Sequence, residues 1–182
     1  DRRRQALVSR RRLALPMSGM HRILAAWCGG FAMLAAASPA AATILVRPDG
    51  APWGGTWQRW ADTSLLPTPD GTVTLIPDRC PAYREDPFSV GCVYLQERVV
   101  YARRDYRERR LTLLHELGHL VEHETATPAE REAWAASQGL EWGDMARERF
   151  ANAYADCARW TAPAWWGARA CEFIRSIAAR AA

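Results

Sequence analysis

The 182-residue chain is 49% hydrophobic with a formal net charge of +4, enough apolar content for one domain with a core and too much for general disorder. The charge is unevenly placed: residues 1–42 hold seven of the 24 Arg and one of the 20 acids, so residues 43–182 carry 17 Arg against 19 Asp plus Glu. With that near-balance, and no basic stripe interleaved with aromatics, nothing points to a nucleic-acid partner.

From Met20, His21-Arg22 precede an apolar run, Ile23 to Ala37, and the small residues Ser38-Pro39-Ala40-Ala41-Ala42. That is the order of an export signal, with cleavage expected after Ala42 and translation starting at Met17 or Met20. The run has 15 residues where about 20 are needed to span a bilayer, so no stable membrane anchor is expected once the signal is cleaved. The expected division is residues 1–42, upstream segment and signal, and residues 43–182, a single domain expected to be secreted or periplasmic and monomeric.

Cys28 leaves with the signal, and the remaining four cysteines suggest two disulfides in an exported chain. The local pairing, Cys80 with Cys92 and Cys157 with Cys171, is preferred because each pair flanks one expected turn. A four-cysteine zinc site would want a CxxC spacing that is absent.

Residues 43–70 are rich in Pro, Gly and Trp and read as an irregular wrap whose Trp53, Trp57 and Trp60 pack on a core. Thr72 to Ile76 alternates like a strand, Pro77 to Gly91 is a turn-rich loop, and Cys92 to Leu95 with Arg98 to Ala102 reads as a β-pair. Tyr106 to Glu124 places Leu111, Leu114, Leu117, Leu120 and Val121 at helical intervals. Thr127-Pro128-Ala129-Glu130 is a capping box that starts a second helix, running to about Ser137 and stopped by Gly139. Asp144 caps a third helix, Met145 to Trp160, and a fourth covers Trp166 to Ala179. The expected fold is α+β: a small antiparallel or mixed sheet, a long helix, then further helices.

The long helix contains His115-Glu116-Leu117-Gly118-His119. Residues four apart lie one turn apart on one face, so both imidazoles can reach one Zn2+ ion, while Glu116 lies beside it as a general base for a metal-activated water. Gly118 is costly inside a helix and implies close approach of another element. A catalytic zinc keeps three protein ligands and one open position. His123 lies about 12 Å along the axis from His115, too far to share the ion. Glu148, in the first turn of the third helix, is the better third ligand, with Glu141 as its competitor. Glu122, Glu124, Glu130 and Glu132 read as a solvated acidic face. Tyr154 and Arg159 are candidates for stabilising an oxyanion, with core packing the simpler reading for Tyr154.

HELGHLVEH followed by E-R-F-A-N-A-Y-A resembles the gluzincin peptidases, most closely the small ImmA/IrrE-type members, over about Leu111 to Ala155. The resemblance implies a zincin-like fold, His115, His119 and Glu148 as zinc ligands, Glu116 as general base and Asn152 orienting a ligand histidine; Asp156, two turns from Glu148, is the alternative orienting group. The expected activity is hydrolysis of a peptide or protein substrate, its chain laid along Arg98 to Ala102 as an edge strand. The rivals are an exported zinc-binding or interaction module without turnover, and a zinc amidase acting on cell-wall peptides.

Overall fold

A computed structural model describes residues 43–83, 89–159 and 167–181; the export signal, Cys28 and the start of the expected fourth helix at Trp166 lie outside them. The fold is α+β. In chain order it comprises β1 (Ile44–Val46), α1 (Thr56–Asp62), β2 (Thr72–Ile76), a 3-10 turn (Pro81–Tyr83), β3 (Gly91–Tyr94), β4 (Val99–Ala102), α2 (Arg109–Thr125), α3 (Pro128–Ser137), α4 (Asp144–Arg159) and α5 (Gly167–Ala178).

The four strands form one mixed sheet in the order β1-β2-β4-β3, with β1 parallel to β2, β2 parallel to β4, and β3 antiparallel to β4. Two expectations change here. The wrap at residues 43–70 is not wholly irregular, because Ile44, Leu45 and Val46 pair with Thr72, Val73 and Thr74. Three β-branched or aliphatic residues are too short a run to stand out beside the Pro, Gly and Trp that follow. Nor is the segment Arg98 to Ala102 an edge: β4 lies between β2 and β3, and the edge next to it is β3. Burial gives the reason. Val100 and Ala102 are fully buried whereas no β3 residue is, so the hairpin folds its more apolar strand inward.

The tryptophans pack as expected. Trp57 is buried edge-on to Trp60, and Trp53 donates its indole N–H to the Leu75 carbonyl at 2.9 Å.

α2 carries the core. Leu113, Leu114, Leu117, Leu120 and Val121 are fully buried, and the helix packs against β3 and β4 and most extensively against α4. That second contact explains Gly118: a Cβ there would stand 3.0 Å from Tyr154 Cδ1 and 3.1 Å from its Cβ and Cγ. Glycine lets the two backbones approach, and the approach is what brings α4 side chains up to α2.

Glu122 departs from the solvated face read in the sequence. It is 1% exposed and paired with Arg131 of α3 and Arg147 of α4, the latter at 3.3 Å. It lies one turn beyond Gly118, on the α4-facing side of the helix, where an unpaired carboxylate would be costly and two guanidinium groups offset that cost. Arg131 also donates to the Glu122 and His123 carbonyls, and Arg180 to the Thr125 carbonyl, so the open C-terminal end of α2 is closed by cations.

α3 begins with the expected capping box, Thr127 accepting from the Glu130 N–H and Glu130 accepting from the Thr127 N–H. Both disulfides, Cys80–Cys92 and Cys157–Cys171, form as paired in the sequence reading. They are compatible with an extracytoplasmic protein. Among the described residues, no helix is long and apolar enough to cross a membrane.

Candidate metal centre

His115 and His119 project from consecutive turns of α2, their rings edge-on with centroids 4.8 Å apart and their Nε2 atoms 3.2 Å apart. Together with Glu116 they form a group whose donor atoms all lie within 4.8 Å of one another, close enough to hold a metal ion. The close packing of α4 on α2 adds Glu148, whose Oε2 is 3.2 Å from His115 Nε2 and whose Oε1 is 3.3 Å from His119 Nε2. The hydrogen bonds from the two imidazoles hold the Glu148 carboxyl well below the usual carboxylate range. Burial lowers the pKa of His115, but Glu148, Glu116 and Asn152 outweigh it and the net shift is upward.

One turn after Glu148, Asn152 places its Oδ1 3.0 Å from His115 Nδ1. An amide oxygen can only accept, so Nδ1 donates to Asn152, and Nε2 is the ring atom turned toward His119 and Glu148. Asp156 is not at either histidine; it pairs with Arg159 at 3.8 Å.

Glu116 lies beside the two histidines, against the first residue of β3, and is 4% exposed. Burial pushes its carboxyl up to about 7; the attraction of His115 opposes this and the repulsion of Glu148 adds to it. Gly91, opening β3, makes room for it: a Cβ on Gly91 would stand 2.6 Å from Glu116 Oε1.

These groups line a pocket of about 680 Å³, with Val93 and Leu95 of the β3 hairpin, Tyr106 ahead of α2, Leu111 in its first turn, and Asp144 and Arg147 of α4 along its walls. The other sequence candidates lie elsewhere. His123 stands at the end of α2 with its Nε2 3.4 Å from Gln96 Nε2, and Glu141 is exposed between α3 and α4. Tyr154 is a core residue whose hydroxyl donates to the Pro67 carbonyl at 2.9 Å, and neither it nor Arg159 lines the pocket.

Sequence reasoning passed over Gly91, Tyr106 and Arg147. Gly91 alone left a trace, a glycine at the first position of a strand beside a cysteine. Comparison of the chain with protein-family models, with curated proteins and with solved structures found no match in any of the three.

Proposed function

We propose that this chain is an exported zinc peptidase of gluzincin type, with His115, His119 and Glu148 as ligands and Glu116 as general base. The observation that carries the reading is the convergence of three donor groups from two helices, with separations of 3.2, 3.2 and 3.3 Å. Ligand atoms bound tetrahedrally at ~2.0–2.1 Å from one zinc lie roughly 3.3 Å from one another, close to the spacing of the two imidazole nitrogens and of each nitrogen to its nearer Glu148 oxygen. Two imidazoles and a carboxylate are the donor chemistry of a catalytic rather than a closed structural zinc site.

Zinc, when bound, would supply Lewis acidity toward the scissile carbonyl and make an adjacent water easier to deprotonate. The rest falls to the protein. Glu116, buried against Gly91 and with its carboxyl pushed up to about 7, is suited both to take a proton from water and to return it to the leaving amine. Asn152 keeps the His115 lone pair directed into the site. A purely structural site would need the ligands but not a buried carboxylate beside them, which favours turnover over a silent binding module.

Among the described residues, β3 pairs on one side only, with β4, and its residues line the pocket. Its open side offers main-chain donors and acceptors to an extended peptide, the role the sequence reading assigned to β4. The test is zinc stoichiometry together with peptide-library hydrolysis on residues 43–182, with Glu116→Gln as the comparison. Equimolar zinc in both proteins and hydrolysis only in the unsubstituted one are expected. A protein that binds no metal, or a fully active Glu116→Gln variant, would overturn the reading; activity confined to peptidoglycan fragments would make it an amidase.

A further inference from the structure

Among the described residues, one arginine lines the pocket, and it is anchored from behind. Arg147 lines the pocket one residue before Glu148, and its Nε is 3.3 Å from Oε2 of Glu122, which is 1% exposed. Glu122 is already neutralised by Arg131, whose Nη2 is also engaged with the Glu122 and His123 carbonyls at 3.0 and 3.1 Å. Two cations therefore surround one buried carboxylate, and the excess positive charge falls on Arg147, the member that faces the pocket. With Nε committed to Glu122, its two amino groups have no acceptor among the described residues.

We propose that Arg147, fixed by Glu122, is the specificity-determining residue of the pocket and docks a carboxylate of the peptide substrate beside the scissile bond. The inference rests on the peptidase reading for the reaction, but not for the binding. A guanidinium held at Nε keeps its outer edge in a fixed plane, the geometry that accepts a carboxylate through two parallel N–H donors. The carboxylates that the pocket holds itself do not serve as this partner. Glu148 is turned to the histidines and Glu116 is buried against Gly91. Asp144 and Glu108 also line the pocket, and they set the competing outcome, a preference for basic peptides.

The test uses N-acetylated alanine hexapeptides carrying a single Glu, Gln or Arg, each made with a free C-terminus and as the amide. Binding is measured on the zinc-loaded Glu116→Gln protein, and kcat/KM on the unsubstituted one. Acid-bearing peptides should bind about tenfold or more tightly than their neutral counterparts. Arg147→Gln should abolish that difference, weakening the acid-bearing peptides far more than the Gln amide. Arg147→Lys keeps the charge without the fork, and Glu122→Gln removes the anchor, so each should retain part of the preference. The free-acid and amide series show whether a side-chain or a terminal carboxylate is docked.

Equal losses on all peptides in Arg147→Gln, or a preference for the Arg peptides, would overturn the assignment. Arg147-dependent binding without hydrolysis by the unsubstituted protein would instead sink the peptidase reading and leave the docking role standing. Hydrolysis without an Arg147-dependent charge preference would do the reverse.

Discussion

A Cβ added to Gly91 would lie 2.6 Å from Oε1 of Glu116, so the first residue of the edge strand and the candidate base share one space. The same atom would meet Thr112 Cγ2 at 2.6 Å and the Tyr101 carbonyl oxygen at 2.9 Å. The last is backbone of β4, held in register with β3, and cannot retreat cheaply. Gly91→Ala must therefore displace Glu116 or pry β3 outward. Under the peptidase reading, either motion would misplace the proposed base relative to a bound peptide, and kcat should fall roughly tenfold to a hundredfold. Zinc content should be unchanged, because neither histidine nor Glu148 is touched. Hydrolysis rates and metal analysis on the same preparation check both halves.

How much of this was legible in the sequence depended on whether a feature was local. The HELGH turn, the Thr127 capping box, the two cysteine pairs and the reason for Gly118 each follow from residues a few positions apart, and the structure has them where expected. Glu122 was misread because its partners, Arg131 and Arg147, arrive from two other helices. One helical face was legible, but not what would be packed on it. β4 was placed at the edge because a hairpin pattern does not say which of its strands a third strand will join. Gly91 and Arg147 escaped for the same reason: each acquires its role only when β3 and α4 close on α2. Glu148 was proposed partly through resemblance, since helical spacing within α4 says nothing about where α2 lies.

Gly118→Ala sets two effects against each other. Alanine favours a helix interior by about 1 kcal/mol over glycine. Against that, its Cβ would press on Tyr154 at 3.0–3.1 Å, and overpacking a well-filled core costs about 1–3 kcal/mol. The ring has little room to yield, being fully buried with its hydroxyl bound to the Pro67 carbonyl. The clash should win. Thermal or urea unfolding should show a net loss of stability, and because relief comes by moving α4 away from α2, zinc affinity should fall with it. A variant with raised stability and unchanged affinity would mean that the helices can part without moving Glu148.

In the proposed zinc site, Asn152 would act on the metal through His115 and should be separable from the ligands. Asn152→Ala removes the acceptor at His115 Nδ1, freeing the ring to rotate and to change tautomer. Zinc affinity should drop by about 10–100-fold, the usual cost of losing such a partner. Asn152→Asp keeps an oxygen at that position and should retain most of the affinity. Competition against a chromogenic chelator measures both, and equal losses in the two variants would point to a packing defect rather than to His115 orientation.

The two disulfides provide an internal contrast, since they close loops of nearly equal size, with sequence separations of 12 and 14. Loop-closure entropy then gives each about 3 kcal/mol, and removing either pair should lower the unfolding midpoint by a similar amount. Their positions differ. Cys92 lies in β3, next to Gly91, and lines the pocket, whereas Cys157 and Cys171 are buried where α4 meets α5. Releasing β3 from Cys80 loosens both the strand on which a peptide would pair and the wall that holds Glu116. Replacing Cys80 and Cys92 by Ser should therefore raise KM and lower kcat under conditions where the protein stays folded. Replacing Cys157 and Cys171 should leave kcat/KM close to its unsubstituted value at saturating zinc. Peptide hydrolysis measured well below each variant's melting temperature separates the two cases, and equal kinetic losses would show that the first bridge has no special relation to the site.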